Sequence, residues 1–287
     1  MATQQLTNTA PTFGGALVTV TGLYHYPIKS CAGAALTSAT LDARGFRHDR
    51  ELMIVDAATG NFLTQRELPR MALIAPRRDD GALTVTAPGM PPLTVPVTTQ
   101  GPTSPVGIWR DTCAAVDQGD VIAGWLSAFL GHDCRLVRMA DDFTRIVDQT
   151  YATSPADQVG FADGFPCLLI AEESLQDLNA RLAAPLLMNR FRPNIVIAGG
   201  APFGEDRVAV LRIDAIVFHA TKSCARCPIT TVDQATGETG KEPLRTFATF
   251  RRAKRGVMFG QNLIHATVGT ISVGDRVEAL EAKEPEA

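Results

Sequence analysis

The sequence predicts a β-rich, mixed α/β protein: an antiparallel barrel or sandwich in the first half, then a half that mixes strands and helices. Three observations carry this. Short β-type runs recur at roughly ten-residue spacing before residue 117, with turn residues between them. One unambiguous amphipathic helix follows, and strand-like and helix-like runs mix beyond it. At 287 residues and 45% hydrophobic content, the chain can bury a large core and divide into two domains.

Taken in order, residues 1–13 have no early Lys or Arg and no apolar run, so they read as an unstructured tail and not a secretory signal. Leu17 to Leu23 alternates in the period-two manner of a half-buried strand. It leads into Tyr24-His25-Tyr26-Pro27-Ile28-Lys29-Ser30-Cys31, where Pro27 keeps Tyr26 extended and Lys29 and Ser30 leave on a loop, a possible anion site or an ordinary surface lysine. Arg50 to Val55 and Asn61 to Gln65 read as a hairpin around Asp56-Ala57-Ala58-Thr59-Gly60. Prolines 88, 91, 92 and 96 confine the following strands to edges and loops. Val121, Ile122, Trp125, Leu126, Phe129 and Leu130 form one apolar helical stripe, with Asp117 as N-cap, Asp120 in the first turn and Gly131 closing it.

Cys134 to Arg138 is a strand, and the polar stretch from Ala140 to Gln158 marks a domain boundary, giving domains at 14–140 and 141–281. In the second domain Phe165 to Ala171 and Asn194 to Ala198 read as strands, with a helix between them from about Glu173. Arg192, before Pro193, is expected to be extended. Val208 to Ala220 holds two strands, Leu244 to Phe250 a helix, and Leu263 to Ala266 with Thr270 to Leu280 closes a sheet around the turn Val273-Gly274-Asp275. Residues 282–287 read as a second unstructured tail.

With 27 basic and 30 acidic side chains the net charge is −3, which argues against a nucleic-acid or membrane-surface binder. No apolar run approaches the ~20 residues of a membrane span. Six irregularly spaced cysteines read as reduced thiols in a cytoplasmic protein.

The chemistry concentrates in Lys222-Ser223-Cys224-Ala225-Arg226-Cys227-Pro228. A thiolate is a soft metal ligand, and Arg226 or Lys222 beside it favours that form. The pair is expected on a loop leading into the β-branched run Ile229 to Val232, with Pro228 keeping a helix from starting through the second cysteine. Structural zinc would need further ligands nearby, and a thioredoxin-type pair would open a helix; neither spacing is present. On its own the pair is as readily two buried core thiols.

A wider set of motifs adds to this: Tyr-Pro-Ile-Lys-Ser-Cys at Lys29-Ser30, His-Asp-Arg at Arg50, Asn-Arg-Phe-Arg-Pro-Asn at Arg192, Ser-Cys-Ala-Arg-Cys before Thr-Thr-Val-Asp, Phe259-Gly260-Gln261, and Val268 to Asp275. Together, and in this order, they resemble the MOSC-domain proteins, in the branch of the YcbX-type proteins and the mitochondrial amidoxime-reducing component. The resemblance implies an N-terminal β-barrel domain followed by a MOSC domain with a mainly β core and flanking helices.

It also implies a molybdenum cofactor (Mo-molybdopterin), with Cys227 as metal ligand and catalytic residue. Lys29, Ser30, Arg50, Gly164, Phe165, Arg192, Ala225, Arg226 and Asn262 are the implied cofactor contacts. The mitochondrial members carry small hydroxyl residues at the positions of Gly164 and Phe165, a serine at Ala225 and a tyrosine at Asn262; the first three positions can serve through backbone groups.

The implied activity is reduction of N-hydroxylated compounds (hydroxylamines, N-hydroxylated bases, amidoximes) by removal of oxygen at molybdenum. The alternatives are a cofactor carrier or sulfur-transfer protein without turnover, and a binding module with inert cysteines. Pyridoxal phosphate binding also comes with the family as a label. No C-terminal ferredoxin domain and no nicotinamide or flavin motif is expected, so electrons would come from a separate cytochrome, ferredoxin or flavin reductase-type protein to a monomer. The basic run Arg251 to Arg255 is the expected dock for it.

Overall fold

A computed structural model describes residues 12–14 and 17–286. Seven strands close a barrel. Around the ring they are Cys167–Ala171, Ile195–Ala198, Val18–His25, Arg276–Ala282, Val208–Ile213, Ile216–Ala225 and Gly256–His265, the last pairing back onto the first. Neighbours are antiparallel except Cys167–Ala171 and Ile195–Ala198, which run parallel across the helix Glu172–Asn179. The period-two pattern turns one face of each strand inward, and Val20, Leu23, Leu169, Ile197, Phe218 and Leu263 are among the side chains that fill the interior. Gly260 is required for closure. Its φ is 83°, and a Cβ there would meet the Leu169 carbonyl oxygen at 2.8 Å, so only glycine lets the last strand approach the first.

The remaining first-half strands form smaller curled sheets. Leu52–Asp56, Cys134–Met139, Asp111–Asp117 and Thr103–Ile108 make one sheet, and Ala75–Arg78, Ala82–Thr86 and Leu93–Pro96 another. The helix Asp120–Leu130 covers a core with them through Ile122, Leu126 and Phe129. Gly131 ends it in the left-handed conformation, as its sequence position predicts. The N-cap differs from expectation: it is Gly119, while Asp117 accepts the Gly119 N–H at 2.7 Å and is engaged by Arg135. The expected hairpin is also reduced to one bridge between Val55 and Phe62. Leu52–Asp56 instead takes Cys134–Met139 as its ladder partner, burying it on both faces.

Pairing crosses the boundary drawn at residue 140. Val18–His25 is a member of the second-half barrel, and Ser38–Asp42 pairs with Gly269–Ser272. Alternation in the sequence sets which face of a strand is buried but not which strand lies beside it. Of the expected N-terminal tail, residues 1–11 lie outside the described residues, while Phe13 is buried in the barrel core. The other expected tail is tied down: Lys283 donates to the Gln261 side chain at 2.8 Å and Glu286 accepts from Arg255 at 2.6 Å. Among the described residues, no helix is long and apolar enough to cross a membrane.

Candidate functional site

One crevice gathers residues from both halves of the chain. All ten expected site residues line it: Lys29, Ser30, Arg50, Gly164, Phe165, Arg192, Ala225, Arg226, Cys227 and Asn262.

Three of them have left-handed backbones, Ser30 at φ 65°, Arg50 at 46° and Arg192 at 58°. Such residues cost of order 1–3 kcal/mol each and are retained where a side chain must be aimed. Arg192 departs from the extended conformation expected before Pro193. Its N–H continues the turn of Met188–Arg190 by bonding to the Asn189 carbonyl at 3.3 Å, and the left-handed step then reverses the chain into Ile195–Ala198. The cysteine segment differs too. Cys224 lies within the strand Ile216–Ala225, and Cys227 is the N-cap of a short 3-10 turn, Pro228–Thr231. Proline suits the first position of a helical turn. The hydroxyls of Thr230 and Thr231 donate to the Cys227 and Pro228 carbonyls at 2.9 and 2.8 Å, which holds the β-branched run in a helical turn.

The cations of the crevice fall into two kinds. Lys29 donates to Asp163 at 2.5 Å and to the Phe161 carbonyl at 2.9 Å. Its burial pushes the ammonium pKa down while Asp163 opposes that. Arg50 is paired with the buried Asp49 at 2.5 Å and bonds to the Asn194 side chain at 2.9 Å. Arg192 and Arg226 form no ion pair among the described residues. Arg192 donates to the Cys31 carbonyl at 2.5 Å, and its burial pulls the guanidinium pKa down to about 10. Arg226 donates to Cys224 Sγ at 3.1 Å and to the Phe191 carbonyl at 2.7 Å, leaving a buried Nε with no partner.

Two residues of the site were not anticipated. Asp163 sits between Lys29 and the crevice rim, and Arg66 donates from Nη2 to Cys227 Sγ at 3.4 Å. Neither belongs to a motif; Arg66 immediately follows a segment read only as a strand. The basic run is not one free patch. Arg251 is paired with the buried Asp206 at 2.5 Å and Arg255 with Glu286 at 2.6 Å, leaving Arg252 and Lys254 exposed.

Among the described residues no three His, Cys, Asp or Glu side chains are placed to hold a metal together. A metal at Cys227 would need its other donors from an organic ligand, and a dithiolene brings two sulfurs. The two uncompensated guanidiniums, one with an orphaned N–H, suit the phosphate of such a ligand. The residues present therefore fit a phosphate-bearing dithiolene cofactor.

Known proteins resemble the chain over most of its length. Residues 17–133 match the model of the MOSC N-terminal beta barrel domain and residues 156–278 that of the MOSC domain. The chain is 36% identical over 283 residues to the mitochondrial amidoxime-reducing component 1 of Mus musculus, covering 91% of this chain and 82% of that protein. The Homo sapiens counterpart is 34% identical over 281 residues, covering 91% and 83%. The molybdenum cofactor sulfurase of Arabidopsis thaliana is 33% identical over 258 residues, covering 82% of this chain and 31% of the sulfurase.

Proposed function

Because the chain belongs to the MOSC-domain proteins, the family of the mitochondrial amidoxime-reducing components, we propose that it is a molybdenum-cofactor-dependent reductase of N-hydroxylated compounds. The observation that carries this reading is a pair of part-exposed thiols, Cys224 and Cys227, in a crevice where two cations, Arg192 and Arg226, have no anion of their own among the described residues. When bound, the cofactor supplies a Lewis-acidic metal that can donate two electrons. Cys227 would hold the metal. Arg192 and Arg226 would take the cofactor phosphate, while the left-handed backbone at Ser30 and the open side of Gly164 leave main-chain N–H groups free to approach it. Asp163, about half exposed at the rim, offers an acceptor for the N–H groups that amidoximes and N-hydroxylated bases carry. Electrons would be delivered to the site by a redox partner protein.

Cys227→Ser replaces a soft ligand by a hard, weakly acidic hydroxyl and is expected to abolish reduction of an amidoxime, with folding intact. Cys224→Ser is expected to be far milder. Full turnover by the Cys227 variant would reject the assignment. Similarity to a sulfurase favours a second reading, a cofactor carrier or sulfur-transfer protein. Purified protein free of molybdenum but carrying labile sulfur would establish that reading instead.

A further inference from the structure

The two cysteine sulfurs are served by guanidiniums of different origin. Cys224 accepts from Arg226, two residues away. Cys227 accepts from Arg66, which lies in the first half of the chain and reaches Sγ at 3.4 Å. Arg66 is held there from two further sides. Its Cζ lies 4.7 Å from the centroid of the Trp109 ring, and its Nη2 is 4.0 Å from Asp163 Oδ2. Trp109 donates its indole N–H to Asp163 Oδ1 at 3.2 Å and rests on Phe62 at 5.0 Å. The Trp109 backbone is left-handed, φ 55°, and its side chain is half exposed. That conformation is set by the two-residue turn Trp109-Arg110 joining Thr103–Ile108 to Asp111–Asp117, and the exposed ring at this hairpin tip gives the guanidinium its cation–π face.

Resting on the reading of Cys227 as the metal ligand, we propose that Arg66 is a positioning residue for that sulfur. Its charge-assisted N–H···S bond fixes the direction of the thiolate and withdraws negative charge from it. A thiolate that gives up less charge stabilises the reduced state of a metal bound to it, because hydrogen bonds to ligand sulfurs raise reduction potentials. Arginine suits the task, since its charge does not depend on working pH and its planar fork can face the sulfur and the indole at once.

The experiment compares wild type with Arg66→Met, which removes both charge and donors, and Arg66→Lys, which keeps the charge. Molybdenum per chain, the midpoint potential of the metal followed by electron paramagnetic resonance, and the thermal midpoint are measured on each. Arg66→Met is expected to lower the metal's midpoint potential at unchanged thermal midpoint, with Arg66→Lys recovering most of the shift. Loss of molybdenum in the methionine variant, restored in the lysine variant, supports the proposal equally. An unchanged potential in a loaded Arg66→Met protein would overturn it, as would a loss of molybdenum that lysine does not restore. Wild-type protein that takes up no molybdenum on reconstitution would overturn the underlying functional reading and this proposal with it.

Discussion

The cations on the two sides of the crevice, all expected to contact one cofactor, differ in their partners. Lys29 and Arg50, from the first half, each have a carboxylate, Asp163 and Asp49. Arg192 and Arg226, from the second half, have only carbonyls and a thiol. A paired buried charge belongs to the fold, since removing one partner strands the other in a low dielectric. An unpaired one is a cost to the empty protein that an anionic ligand can offset. On the proposed reading, the pairing more than the charge separates scaffold from binding site.

The sharpest way to break this comparison is Arg50→Met. The Asp49 side chain is 2% exposed and would lose its cation, so the fold should lose about 3–5 kcal/mol of stability. Urea unfolding of the cofactor-free protein measures this, and a change under about 1 kcal/mol would dissolve the distinction. Arg192→Met is the converse. It should leave the cofactor-free protein as stable as before and weaken cofactor binding by about 1.5–3 kcal/mol, roughly ten- to a hundredfold. Pterin content after equal reconstitution is the readout, and unchanged content would make Arg192 a structural cation.

The same rule can be tested on an anion. Glu205, 1% exposed, accepts from Ser174 at 2.8 Å and the Ala171 N–H at 3.2 Å but has no cation partner among the described residues, and burial raises its carboxyl pKa to about 7. Between the usual carboxylate range and that value, the folded protein holds a proton that the unfolded chain has released. Stability should therefore fall as pH rises through this window, by about 3 kcal/mol, and be flat above it. Glu205→Gln should remove that slope in thermal melts taken from pH 5 to 8. Parallel slopes in variant and wild type would assign the dependence elsewhere.

Much of this could be read from the chain, because local rules act locally. The strand Val18–His25, the helix closed by Gly131 and the turn at Gly274 follow from alternation, stripe and glycine. Seven of the ten expected crevice residues (Lys29, Ser30, Arg50, Arg192, Ala225, Arg226 and Cys227) could be named because they sit in motifs that survive as short words. Arg66, Asp163 and Trp109 could not, since their meaning lies in contacts to each other and to Cys227 over long stretches of chain. For the same reason the carboxylate partner of Arg50 could be guessed as its neighbour Asp49, whereas the lack of one at Arg192 could not. The left-handed turn at Arg192 was hidden because the residue before a proline is biased toward extension, and a tertiary demand overrode that bias.

Threading Val18–His25 into a barrel otherwise made from the second half has a consequence for how the molecule is assembled. Val18 pairs with Val277, and the same strand meets Ile195–Ala198 on its other side. The ring therefore cannot close until Arg276–Ala282 has been synthesised, and until then the first strand lacks that neighbour. Long-range pairing of this kind slows folding and leaves strand edges exposed to other chains. It also couples the site to completion of the fold. The loop bearing Lys29 and Ser30 continues directly from that strand, so the crevice acquires its first-half wall only as the barrel is sealed. A chain truncated before Arg276 would thus lack the sealed barrel that holds the Lys29–Ser30 loop beside Cys227.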